Sequence, residues 1–246
     1  MAQAVSNNTE KKLIRIDISS DTVCPWCFVG KRNLDQAIAS SKDQYDFEIK
    51  WHPYLLNPSA PKEGVNKEEF YKNKFGSRSG PIIARMTEVF RGLGLEYNIS
   101  GLTGNTSDSH RLIYFAGQQG LDKQHNIVEE LFLGYFTLGK YIGDRLELIL
   151  VNSIDLRAIF LACCSGIIFS REFLLECARK VGVEGAAEFL EDPSNGLKEV
   201  NEELEKYSQS ITGVPYYAIN GKLQLSGGQP PLVFQRAFQT ASSGGA

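Results

Sequence analysis

Several things are scarce in this sequence, and each scarcity excludes something. Cysteine occurs five times, at positions 24, 27, 163, 164 and 177. An odd, sparse set of this kind is not the disulfide framework of a small secreted domain. Basic residues form no block and the net charge is −3, so nucleic acid is not an expected partner. The opening stretch "MAQAVSNNTEKK" is polar and has no apolar h-region, so no secretory signal is expected there. No arginine precedes Arg15, which argues against an organelle transit peptide. The tail "TASSGGA" carries no lipidation motif. Internal repeats and low-complexity tracts are absent. The composition, 42% hydrophobic and 22% charged over 246 residues, is that of a globular chain with one large or two small domains. The expected location is the reducing cytoplasm, where a pair of close cysteines is catalytic or metal-binding more often than structural.

Alternation supplies the first elements. "KKLIRIDISSD" (11–21) places Ile14, Ile16 and Ile18 between polar residues and predicts a strand. "CPWCFVGKRNLDQAIAS" (24–40) predicts a helix with Pro25 in its first turn, where a missing N–H costs nothing. "YDFEIKWHPYLL" (45–56) alternates again through Phe47, Ile49 and Trp51. Strand, helix, strand with a crossover of this length suits a parallel βαβ unit. A block of helical periods follows, at 66–76, 80–95, 109–120, 123–140, 171–182 and 196–210. The chain then returns to β structure at 213–228, two short runs around Asn220-Gly221, a dipeptide that favours a two-residue hairpin loop. An amphipathic helix with Pro231 near its start closes the chain.

The chemistry centres on Cys24-Pro25-Trp26-Cys27. A structural zinc needs four ligands at ligand spacing. Here Cys163 and Cys164 are adjacent, and His52, His110 and His125 are scattered, so no metal is expected. Two inert core thiols are a second reading; the helix-N-terminal placement and the Pro-Trp insert argue against it. The third reading is thiol–disulfide exchange. A cysteine at a helix N-terminus sits beside unpaired N–H groups and the positive end of the helix dipole, and both stabilise a thiolate. Cys24 is then the nucleophile and Cys27, one turn on, the resolving thiol that releases a mixed disulfide. Far along the chain, Val214-Pro215 opens the late hairpin. A proline there cannot donate to the ladder and belongs at a strand start or a tight turn.

These features taken in order resemble the DsbA-like thioredoxin superfamily, and most of all its FrnE-like branch, which is related to 2-hydroxychromene-2-carboxylate isomerases and kappa-class glutathione transferases. The resemblance rests on "D-x-x-CPWC-x-x-G" (21–30), "W-x-P-Y-x-L-x-P" (51–58), "NTSDSHRLIYFA" (105–116), "GVPYY" (213–217) and "SGGQPPLVFQRA" (226–237). It implies an α/β thioredoxin-like fold with a large helical insertion between an N-terminal βαβ and a C-terminal ββα unit. The thioredoxin-like part would be 13–60 with 205–242, and the insertion 61–204. It implies a cis Val214–Pro215 bond and an active site between core and insertion, with Pro25, Trp26, Val214, Pro215 and His110 supporting Cys24 and Cys27. The isomerase and transferase relatives place serine at the Cys24 position and use glutathione. Two thiols here favour dithiol chemistry on protein or small-molecule disulfides, with no bound cofactor and with glutathione a candidate co-substrate. A glutathione-dependent transferase or isomerase and a non-catalytic peptide-binding module remain the alternatives.

One segment departs from the pattern. Residues 146–171, "LELILVNSIDLRAIFLACCSGIIFSR", are largely apolar with no clear polar face. Asp155 and Arg157 interrupt them, leaving a run well short of the about 20 residues a membrane span needs. Arg145 and Arg171 bracket the segment, and excision between them would join "GDR" to "EFLL" in frame. A retained intron or a gene-model error is the expected origin, and Cys163 and Cys164 would then have no role; the alternative is a native segment buried as a core helix in the helical block.

Overall fold

The computed structural model describes residues 11–143 and 170–244. The apolar stretch 146–171 falls outside the described residues up to 169, and Cys163 and Cys164 with it.

Strand β1 (Lys12–Ser20) carries Ile14, Ile16 and Ile18 into the core, each at 1% exposure or less. β-branched side chains at every second position suit a pleated, buried face. Helix α1 (Pro25–Ala39) begins with Pro25 at its first position and Cys24 as N-cap, in extended conformation (φ −91°, ψ 110°). Strand β2 (Tyr45–Pro53) returns parallel to β1, in register from Lys12↔Tyr45 to Ser20↔Pro53. The C-terminal unit supplies β5 (Tyr216–Ile219) and β6 (Leu223–Ser226), which extend the sheet to the order β2-β1-β5-β6 with both added strands antiparallel to their neighbours. Helix α9 (Pro231–Ser242) closes the chain and packs Phe238 on Phe47 and Phe234 on Tyr217, with ring centroids 4.9 Å apart in each pair.

The hairpin loop is one residue longer than the Asn-Gly pair suggests. Ile219 pairs with Leu223, so Asn220, Gly221 and Lys222 all lie in the turn, the first two at positive φ (49° and 69°). Asn220 is held by β1: its N–H donates to the Arg15 carbonyl, and its Oδ1 accepts from the Arg15 N–H, both at 2.8 Å.

Between the two halves lie β3 (Val65–Asn66), α2 (Lys67–Phe75), α3 (Ser79–Gly92), β4 (Leu102–Thr103), α4 (Ser107–Gln118) and α5 (Leu121–Thr137). α6 (Ser170–Val181), α7 (Ala186–Glu191) and α8 (Leu197–Ser208) follow. The sequence reads this block as wholly helical. The structure adds the two-residue antiparallel ladder of β3 with β4, too short to show alternation, and α7, too short to show a helical period.

Insertion and sheet share a core through α1. Phe28 stacks on Phe132 (5.2 Å) and Phe136 (6.0 Å) of α5 and meets Phe90 of α3 edge-on (5.7 Å). α8 lies on β2, where the His52 ring stacks on Tyr207 at 3.5 Å and lies between Asp17 and Glu203. Both carboxyls are held below the usual range, Asp17 chiefly by its hydrogen bond with His52, Glu203 by His52 and Lys50 against the opposing effect of burial.

Candidate active site

The site forms where β1 ends and α1 begins. The chain turns at Asp21, whose carbonyl accepts from Cys24 N–H at 3.0 Å, and enters the helix through Pro25. Cys24 retains 5% exposure and Cys27, one turn deeper, none. Burial pushes the Cys27 thiol well up, and the neighbouring Cys24 sulfur pushes it further; hydrogen bonds with Ser20 and Asp21 oppose this. The two cysteines are thus unequal: one borders a cavity, the other is enclosed and held as a neutral thiol.

The late proline meets this pair. Val214–Pro215 is cis. The Cys24 Sγ–H donates to the Val214 carbonyl at 3.6 Å, and the Pro215 carbonyl accepts from Gly227 N–H at 2.8 Å. Tyr217, on the strand that follows, is fully buried; burial and then the nearby Cys27 push its phenol well up. Gly228, in the last of the quoted motifs, packs against the Trp26 ring.

His110 sits behind this arrangement. It is 3% exposed, its Nε2 lies 3.2 Å from the Tyr54 carbonyl and 3.5 Å from Asp21 Oδ1, and it does not line the cavity. Asp21 is itself buried. Its Oδ2 accepts from Leu56 N–H at 2.7 Å, while Oδ1 has no hydrogen-bond partner among the described residues. Thr22 and Ser109 share a hydrogen bond at 2.8 Å, a second tie between the active-site turn and α4. Through these contacts four separated motifs, at 21–30, 51–58, 105–116 and 213–217, converge on one turn of chain.

A cavity of about 700 Å³ opens above Cys24. Val23, Pro25, Trp26 and Val214 form the wall on the sheet side. Leu56, Asn57 and Ala60 border it after β2, and the insertion supplies the remainder, with Phe70, Tyr71 and Phe75 of α2, Met86 of α3 and Tyr135 of α5 prominent. Charge enters it through Lys74 and Arg85, and through Glu69. Tyr71 and Tyr97 exchange a hydrogen bond at 2.9 Å, and burial pushes both phenols up. Sequence reasoning finds Cys24, Cys27, Trp26 and the Val-Pro pair. It misses Asp21 as a buried support, Lys74 and Arg85 at the cavity wall, and Lys67. The Lys67 ammonium is 2% exposed, donates to the Tyr135 carbonyl at 2.6 Å and is brought down to about 7 by burial. Only Asp21 gave a signal, as the first residue of the quoted "D-x-x-CPWC" pattern. Among the described residues no group of three His, Cys, Asp or Glu side chains is placed to hold a metal ion, and no helix is long and apolar enough to cross a membrane.

Comparison with known proteins bears on the family and the fold. The family model of the DSBA-like thioredoxin domain matches residues 15–153 and 156–239. The uncharacterized protein YwbO of Bacillus subtilis (strain 168) is 25% identical over 233 residues, spanning 92% of this chain and 96% of its own length. A probable DsbA oxidoreductase from Streptomyces coelicolor superposes with a TM-score of 0.74 at 24% identity, over 95% of this chain and 92% of that one. A 2-hydroxychromene-2-carboxylate isomerase superposes with a TM-score of 0.56 at 12% identity, over 92% of this chain and 94% of that one. At these identities both likenesses are of fold.

Proposed function

The chain belongs to the DSBA-like thioredoxin domain family, and from that premise we propose that it is a thiol–disulfide oxidoreductase whose working couple is Cys24–Cys27. One observation carries the reading: a cavity-lining thiol at a helix N-cap lies directly above an enclosed one, under the Val214 carbonyl. Neither inert core thiols nor a metal site needs that inequality.

In the reductive direction the Cys24 thiolate attacks one sulfur of a bound disulfide. A Cys24–substrate disulfide forms and the other substrate sulfur leaves as a thiolate. Cys27 then loses its proton and attacks Cys24 Sγ, closing the Cys24–Cys27 disulfide and expelling the second substrate thiolate. Two electrons pass from the dithiol to the substrate; the oxidative direction reverses each step. The enclosure that holds Cys27 as a neutral thiol keeps it from competing for substrate. Asp21 and His110 support the turn on which Cys24 sits, and Trp26 and Val214 flank the incoming sulfur.

The test is a pair of variants. Cys24→Ser abolishes reduction of a small disulfide, and Cys27→Ser accumulates a mixed disulfide on Cys24, read by intact mass. Retained turnover in Cys24→Ser would overturn the proposal. An insulin-reduction assay separates catalysis from a module that only binds peptides.

A further inference from the structure

We propose that the cavity above Cys24 is built for a small disulfide with an aromatic body and an anionic group, recognised by Arg85 and Lys74. This rests on the Cys24–Cys27 reading and names the substrate class of that site.

A surface helix normally buries its apolar stripe against a core. Here the one fully buried residue of α2 is Lys67, while Phe70, Tyr71 and Phe75 are half-buried and line the cavity. Three aromatic residues therefore border the space, Tyr71 tied to Tyr97 through its hydroxyl and flanked by Phe70 and Phe75, and an apolar guest would complete their burial. The volume, about 700 Å³, is that of a site for a single compact ligand, within the roughly 300–1,000 Å³ usual for such pockets.

Two cations flank the cavity. The Arg85 guanidinium lies 5.6 Å from the Trp26 ring centroid. Lys74 Nζ lies 5.3 Å from the Phe70 ring and 5.7 Å from the Phe75 ring. Among the described residues neither makes an ion pair with a carboxylate. Both heads thus rest on aromatic faces at the cavity wall and keep their charge available. Glu69 is the acidic residue of the lining, so cations outnumber it. An arginine beside the ring next to Cys24 can fork onto a carboxylate while the aromatic body lies against Trp26 and α2.

The reaction is the Cys24–Cys27 exchange. The reduced chain gives two electrons, one substrate disulfide becomes two thiols, and Cys24 and Cys27 become a disulfide. The test compares three disulfides on the reduced full chain: dithiobis-nitrobenzoate (aromatic and anionic), dithiodipyridine (aromatic without the anion) and glutathione disulfide (anionic without the aromatic body). Each rate is divided by that for free dithiothreitol at the same pH. The Cys24 contribution is the part lost in Cys24→Ser.

The expected result is a normalised rate for dithiobis-nitrobenzoate about tenfold or more above both others. The double substitution Arg85→Gln, Lys74→Gln lowers the ratio of dithiobis-nitrobenzoate to dithiodipyridine rates at least about fivefold. Equal normalised rates, a glutathione disulfide rate that leads, or a ratio unmoved by the double substitution overturns the inference and leaves the oxidoreductase reading standing. Failure to reduce any of the three overturns that reading, and the substrate class falls with it.

Discussion

Gly30 of α1 lies so close to Tyr217 of β5 that a methyl group on it would fall 2.1 Å from the Tyr217 Oη. The glycine of the CPWC motif is therefore a packing residue: its missing side chain lets the helix that carries both thiols settle on the strand that follows Pro215. Gly30→Ala should cost about 1–3 kcal/mol, the usual penalty for overfilling a packed site. Tyr217 Oη is buried and has no hydrogen-bond partner among the described residues, so Tyr217→Phe alone should be near neutral or stabilising. With the oxygen gone the nearest atoms are Pro215 Cγ at 3.2 Å and Tyr217 Cζ at 3.4 Å. The double variant should therefore recover most of the loss. Urea denaturation of the four proteins measures the coupling; strict additivity would show that the clash lies elsewhere.

Alkylation should rank the thiols. Cys27 and Cys177 have no exposure, and burial pushes both thiols up, whereas Cys24 lines the cavity. Iodoacetamide at mildly acidic to neutral pH should label Cys24 before either. Peptide mapping over time gives the order, and early label on Cys27 would reverse the roles assigned to the pair.

Lys67 should tie stability to pH. Its proton is lost at about 7 in the folded chain, against 10.5 for an exposed lysine. Between those values the unfolded chain holds the proton and the folded chain does not, so this residue makes stability rise with pH. Below about 7 both states are charged and the full cost of the buried ammonium remains. Lys67→Met should therefore exceed the parent in stability most at about pH 6, with the gap closing by at most about 1.4 kcal/mol per unit as pH climbs toward 9. A gap that widens with pH, in matched urea titrations, would contradict the assignment.

Arg111 offers a control outside the cavity lining. Its guanidinium is 1% exposed, pairs with Asp108, and donates to the carbonyls of Phe189, Asp192 and Asn195. A lysine has one nitrogen for these four acceptors. Arg111→Lys should cost about 2–4 kcal/mol, while the Cys24 exchange rate of the folded fraction stays as in the parent. A slowed rate at full folding would place this arginine in communication with the cavity.

The sheet and its helix were legible because their signals are local. Ile14, Ile16 and Ile18 alternate, Pro25 marks a helix start, and Cys24 and Cys27 stand one turn apart. The cavity was not legible, because no single stretch contains it. Lys74 and Arg85 look like ordinary solvated charges on α2 and α3 until the fold sets them over aromatic rings. Lys67 looks solvated too, yet it is the residue α2 buries, and the aromatic residues of that helix border the cavity. His110 was singled out by its motif; its place behind the active-site turn depends on contacts with Tyr54 and Asp21, which no spacing in the sequence specifies.

The sheet has a central strand whose partners come from opposite ends of the chain: Ile16 lies between Ile49 and Ile219. During synthesis β2 follows β1 at once, but β5 is made only after the whole insertion. One edge of β1 therefore waits, its N–H and carbonyl groups unpaired, until Tyr216–Ile219 leaves the ribosome. Pairings this distant slow folding, and an open apolar edge recruits strands from other chains. A product that ends after the insertion but short of Tyr216 holds both cysteines and the entire cavity-lining helix α2, yet leaves that edge of β1 open to strands from other chains.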